Sequence, residues 1–290
     1  MNPPLVSYQK PFLSITEQIS LLKSRGMHFN NEEKAKEYLE NINYYRLCAY
    51  WLPFEANHQT HTFKKGTNFE RVLELYVFDR ELRLLMLDAI EGIEVSVRSR
   101  FSYELSQKYA SHFHLNETLF KSPYRYEQTL KKLKTEITRS KEPFIKHFKK
   151  KYKEDLPPIW ASVELMTLGQ VSNWFSIIKH RADRQLVAKH YGLDEKVLAS
   201  FLHHLTIVRN ISAHHSVLWN KRIVVEFTLA KSMKEKFNHK ETKKLFNTFV
   251  MVEHLMNKIN ESNHWRERLE NLIDKYHIER EILGYGEVNE

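Results

Sequence analysis

The densest polar chemistry in an apolar setting lies at 202–220, LHHLTIVRNISAHHSVLWN, where Arg209 and His214 form an R-x4-H pair. An imidazole exchanges a proton near neutral pH, and a guanidinium can clamp a phosphate, so the pair contains parts for metal-free RNA cleavage. That reaction needs a base for the 2′-hydroxyl proton, an acid for the leaving 5′-oxygen and a cation on the developing phosphorane. Spacing alone carries little weight in a chain with 45 Lys+Arg and 16 His, and Arg184 to His190 is a second hit of the same kind. The competing reading of Arg209 and His214 is a salt-bridge partner and an ordinary surface or core histidine.

Helical stepping of 100° per residue adds a constraint. Leu198, Phe201, Leu202, Leu205 and Val208 fall on one stripe, whereas His203, Thr206, Asn210 and His214 share a narrow polar face. Asn210 and His214 are i,i+4 neighbours there. Arg209 lies about 140° around the helix from His214. The two therefore converge only if the helix is distorted, if the arginine wraps, or if a second copy faces the first across a two-fold axis. The last arrangement would also supply the acid and the base that one motif lacks.

The remaining candidates are weaker. Glu94 and Arg98 form an i,i+4 pair in the favourable direction, read as part of a helix-to-helix ion network with Asp79, Arg80, Glu81, Arg83 and Glu91, or else as polar support for Arg209 or His214. Tyr44, Tyr45, Arg46, Tyr50 and Trp51 could stack bases but have the spacing of a core cluster. His112, His114, His203 and His204 match no metal-ligand spacing, so neither a metal nor a cofactor is expected, and no glycine-rich phosphate loop occurs.

The elements that must hold these groups are helical. Seven glycines in 290 residues leave few positions for the tight turns of an all-β chain. Helical periodicity opens helices near 16 and 31, sustains one past 30 residues after Thr67-Asn68 on a stripe of Leu73, Val77, Leu84, Leu87, Ile90, Val95 and Val97, and returns at about 159–179, 183–190, 194–214, 240–260 and 262–281. Residues 220–230 read as a short strand or an irregular crossing. The net charge of +9 is concentrated: between Lys131 and Lys153 there are ten Lys/Arg against Glu136 and Glu142. Lys131, Lys132, Lys134, Arg139, Lys146, Lys149, Lys150, Lys151 and Lys153 are the candidate phosphate contacts, with Phe144, His147, Phe148 and Tyr152 interleaved as base stackers. The bland alternative is a solvated helix face with Phe144 and Phe148 in the core. One cysteine, no apolar leader at the start and no run of ~18 apolar residues point to a cytoplasmic protein without a membrane span.

Arg209-Asn210-Ile211-Ser212-Ala213-His214-His215 with Leu218-Trp219-Asn220 resembles the signature of the bacterial abortive-infection (Abi) proteins of the D/F type. Three further blocks agree: YYRLCAYWLPF at 44–54, LYVFDRELRLLMLDAIEGIEVSVRSRF at 75–101 and LPPIWASVELMTLGQVSNWF at 156–175. The resemblance implies the HEPN superfamily: an all-α helical bundle whose R-x4-6-H motif makes a composite, metal-independent endoribonuclease site in a homodimer. Carried over, it makes Arg209, Asn210 and His214 catalytic; Glu94, Arg98 and His215 are the candidate supporting residues beside them. It also implies a toxin-like role in phage defence, with RNA as substrate and a small non-coding RNA as restraint. Superfamily members that have lost activity leave a second reading, a catalytically silent RNA-binding module of a ribonucleoprotein. The expected organisation is an N-terminal helical extension at 1–65 and the Abi domain at 66–285, with the basic helical insertion at about 121–155.

Overall fold

A computed structural model describes Ser7 and residues 9–286; most of the chain start, on which the reading of a missing leader rests, lies outside the described residues. The fold is an all-α bundle whose one sheet, among the described residues, is a two-stranded hairpin, Glu55–Asn57 with Thr62–Phe63 (β1, β2). Two compact units divide between Arg80 and Glu81, a point inside the long helix α4 (Phe69–Tyr109). At 41 residues that helix is about 60 Å long.

The first unit begins with α1 (Ile15–Ser24), where Ser14 and Glu17 form a reciprocal capping box. It continues through α2 (Glu32–Asn41), capped by Asn31, and α3 (Tyr44–Trp51), capped by Asn43. Leu22, Leu47, Tyr50, Trp51 and Phe69 are buried in it. Asp79, on the first unit's part of α4, is fully buried and accepts a 2.7 Å hydrogen bond from Tyr50 Oη.

In the second unit α4 buries Leu82, Leu85, Met86, Ala89, Ile93, Val97, Phe101 and Leu105. Of the stripe expected from sequence, Leu84 and Val95 are exposed instead. The helix is apolar on more than one side, and the face that packs is the one three or four residues apart from Leu82 onward. The basic segment forms α5 (Pro123–Arg139), started by Ser122 and Pro123, and α6 (Pro143–Lys151), separated by a Ser140–Glu142 break. The single helix expected at 159–179 is two, α7 (Ile159–Ser162) and α8 (Leu168–Ile177), because Thr167 starts a new capping box with Gln170.

After α9 (Arg181–Ala188) comes α10 (Glu195–Ala213), capped by Asp194; all five expected stripe residues are buried. Residues 220–230 contain no strand. Their backbone groups find other partners: Thr228 N–H donates to Ser200 Oγ at 2.9 Å, Ile223 N–H to the Lys243 carbonyl at 2.8 Å, and the Val225 carbonyl meets the His204 ring. The chain ends in α11 (Phe246–Ile259), α12 (Trp265–Lys275) and α13 (Arg280–Leu283), so the helix expected from 240 starts six residues late and that at 262–281 is broken.

Candidate nucleic-acid site

Helix α10 delivers the motif at its C-terminal end. The helix stops at Ala213, and His214 is the capping residue, its N–H donating to the Asn210 carbonyl at 2.9 Å. His215 then takes a left-handed conformation, φ +58°, its N–H reaching the Ser212 carbonyl while Ser216 N–H reaches that of Ile211. This is a Schellman termination with histidine where glycine is the usual residue. Beneath it the buried Arg83 donates from Nη1 to the Ser216 carbonyl at 3.4 Å.

The polar face of α10 borders an open cavity of about 580 Å³ between α5, α8 and α10. His203, Thr206, Arg209 and Asn210 line it from α10; Arg125, Gln128, Thr129 and Lys132, at i, i+3, i+4 and i+7, line it from α5. The third wall is the start of α8, where Gly169 lets the two helices approach: a Cβ there would sit 3.1 Å from Thr206 Cγ2. Across the wall Arg125 Nη2 donates to Asn173 Oδ1 at 2.7 Å and to Ser176 Oγ at 3.0 Å, and Asn173 in turn donates to Thr129 Oγ1. Three cations and no carboxylate line the cavity. Close to α5, the Lys121 ammonium is held below its ordinary pKa, first by burial and then by the Arg184 and Arg125 charges.

Arg209, Asn210 and His203 thus share one cavity, with Arg209 Nη1 3.5 Å from Asn210 Oδ1. His214 is exposed just past the helix end and is not among the cavity's lining residues. No hydrogen bond joins Arg209 to His214 among the described residues.

The second pattern hit is placed very differently. Arg184 Nε donates to the buried Glu195 at 2.6 Å and its Nη1 to the Ile178 carbonyl, while His190 is bonded to Glu104. Those two residues are committed to the fold. Arg209 and His214 have no carboxylate partner among the described residues.

Glu94 and Arg98 are ion-paired and mostly buried, and Arg98 also donates to the Met166 carbonyl. They clamp α4 to the turn that precedes Thr167, and no bond ties them to Arg209 or His214 among the described residues. All nine candidate phosphate-contacting cations on α5, α6 and the residues just after are exposed, and none forms an ion pair among the described residues. Lys149 Nζ donates to the Ile137 carbonyl at 2.9 Å. Of the interleaved aromatics, Phe148 is buried with Ile145 on the apolar side of α6, so it is a core residue; Phe144, His147 and Tyr152 face solvent. His204 is also core, its Nε2 2.8 Å from Thr248 Oγ1 and its pKa lowered chiefly by burial. No group of three or more His, Cys, Asp or Glu could hold a metal ion, and no helix is long and apolar enough to cross a membrane, among the described residues.

Sequence reading missed Arg125, Thr129 and Asn173 as groove residues, since 48 positions separate Arg125 from Asn173 and no local period links them.

Fold and site together define an all-helical protein with a cationic groove running up to an R-x4-H helix end. The chain belongs to the Abi-like protein family, whose model matches residues 37–220. That span takes in the aromatic block of α3, both sides of the groove and the motif, and it ends at Asn220. No curated protein and no solved structure is detectably similar to the chain.

Proposed function

We propose that the protein is a metal-independent endoribonuclease of the HEPN type, acting in abortive-infection defence. The observation that carries this reading is the contrast between the two pattern hits. Arg184 and His190 are tied up by buried carboxylates, whereas Arg209 lines an acid-free cationic groove half-buried and His214 stands exposed just past the end of the same helix. An arginine with no carboxylate partner can take a phosphate instead.

In this mechanism the RNA backbone lies along the groove, held by Arg125, Lys132 and the cations of α5 and α6. The 2′-oxygen attacks phosphorus, the bond from phosphorus to the 5′-oxygen breaks, and a 2′,3′-cyclic phosphate and a 5′-hydroxyl result. One His214 takes the 2′-hydroxyl proton and His214 of the partner subunit gives a proton to the 5′-oxygen, which makes the active species a homodimer. Arg209 carries the phosphorane charge and Asn210 positions the Arg209 head group. A small non-coding RNA occupying the same cations would act as a restraint.

Purified protein freed of bound RNA and held in EDTA should cleave an RNA pool. His214→Ala should abolish cleavage and cell toxicity while RNA binding survives. Wild-type protein that binds RNA but leaves every pool intact would instead support the silent RNA-binding module, which the exposed cations serve equally well.

A further inference from the structure

The first unit contains a second cavity, of about 830 Å³, with chemistry of a different kind. Phe12, Tyr44, Tyr45 and Trp51 line it together with Arg25 and Asn43. The rings meet edge-on, Tyr44 against Trp51 at 4.9 Å and 69° and against Tyr45 at 6.1 Å and 80°. Phe12 and Tyr45 are 90% and 68% exposed at the rim.

Arg25 is the part that selects a ligand. Its guanidinium has five donors and, among the described residues, makes one hydrogen bond, Nη1 to Tyr44 Oη at 3.2 Å, and has no carboxylate partner. The one acid in the lining, Glu55, is buried and bonded through both oxygens, at 2.7 Å to His58 Nδ1 and 3.2 Å to His61 Nδ1. It is therefore satisfied without Arg25. His61 holds a left-handed backbone, φ +56°, in making its contact. The cavity thus offers aromatic surface for a flat ring, a guanidinium for an anion and the Asn43 amide for a polar edge, within the volume range of small-molecule sites.

We propose that this cavity binds a nucleotide unit, an aromatic base carrying a phosphate, with the base against Tyr44 and Tyr45 and the phosphate on Arg25. Such a unit can come from a free nucleotide or from the 5′-phosphorylated end of an RNA strand. The site shares no residue with the groove beside Arg209, and its test does not depend on RNA cleavage.

Cys48, the chain's single cysteine, lines the same cavity and reports its occupancy. The full chain, freed of RNA and held in EDTA, is titrated calorimetrically with AMP, GMP, a 5′-phosphorylated tetranucleotide and unphosphorylated adenosine, while Cys48 alkylation is followed by mass. We expect saturable binding of a phosphorylated probe that slows Cys48 alkylation, with adenosine weaker by about tenfold or more. Binding of AMP or GMP identifies the free nucleotide as the source, and binding of the tetranucleotide alone identifies the RNA end. Arg25→Ala, and separately Tyr45→Ala at a ring 68% exposed, should each weaken binding by about tenfold, with circular dichroism checking that each variant folds. The proposal is overturned if no phosphorylated probe binds up to about 1 mM. It is equally overturned if binding leaves Cys48 alkylation unchanged, or if neither substitution alters it.

Discussion

His114 makes the stability of this protein acid-sensitive in a way one substitution should remove. Its side chain is fully buried in the short turn Phe113–Leu115, neither ring nitrogen has a partner among the described residues, and its pKa is pushed down to about 4, by burial first and by His112 second. The His112 ring stacks 5.9 Å away, itself held by Ser111 Oγ and the Leu156 carbonyl. Because the folded pKa lies below the unfolded value of 6.5, the unfolded chain binds the extra proton. This contribution is complete above pH 6.5 and disappears as the pH falls toward about 4. At 1.36 kcal/mol per pH unit it amounts to about 3 kcal/mol in all, of which about 2 kcal/mol is already lost at about pH 5. His114→Leu keeps the volume, removes two orphaned nitrogens and abolishes the proton uptake on unfolding. Urea unfolding followed by circular dichroism at about pH 7 and about pH 5 should show the variant losing about 2 kcal/mol less than wild type between them. Parallel losses in the two proteins would falsify the assignment of this acid sensitivity to His114. His204 and His254, also lowered mainly by burial, add a slope of the same sign that remains in the variant.

Four further outcomes follow from the site. Arg125→Glu or Lys132→Glu should weaken RNA binding, and removing one phosphate contact should lower the slope of log K against log salt by about 1. His215→Val should cost about 1–2 kcal/mol more in urea unfolding than His215→Gly, because a β-branched residue is forced to φ > 0 and glycine is not. Gly169→Ala should be close to neutral alone, its gain in helix propensity of about 1 kcal/mol offset by the 3.1 Å approach to Thr206 Cγ2. In a Thr206→Ser background, which removes that methyl, the same change should become stabilising, as a double-mutant cycle would register.

Legibility in the sequence varied with how local the cause was. The face of α10 was readable residue by residue, because Leu198, Phe201, Leu202, Leu205 and Val208 leave one helical phase and His203, Thr206 and Asn210 the other. In α4 the apolar residues are too many for a single phase, and the expected stripe included the exposed Leu84 and Val95. Charge density placed the basic segment correctly on the surface, since ten cations in 23 residues cannot be buried without partners. Phe148 went the other way, because an aromatic among lysines gives no hint of which side of a nine-residue helix will pack. What separates Arg184 from Arg209 is Glu195, and what engages His190 is Glu104, 86 positions away; no spacing rule within a motif reports on acids that distant. The second cavity was half visible: its aromatic cluster stands out at 44–51, but Arg25 and Glu55 join it only through the fold.

On the proposed RNA-binding reading, the exposed cations of α5 and α6, which form no ion pair among the described residues, would give dissolved salt two opposite effects on the same protein. Without RNA, like charges crowded along these helices repel one another, so added ions should screen the repulsion and raise the melting temperature of the free chain. With RNA bound, the same ions compete for its phosphates and loosen the complex. The fold would then be firmest where its grip on nucleic acid is weakest, and dilute buffer would leave the free protein at its most fragile and most avid.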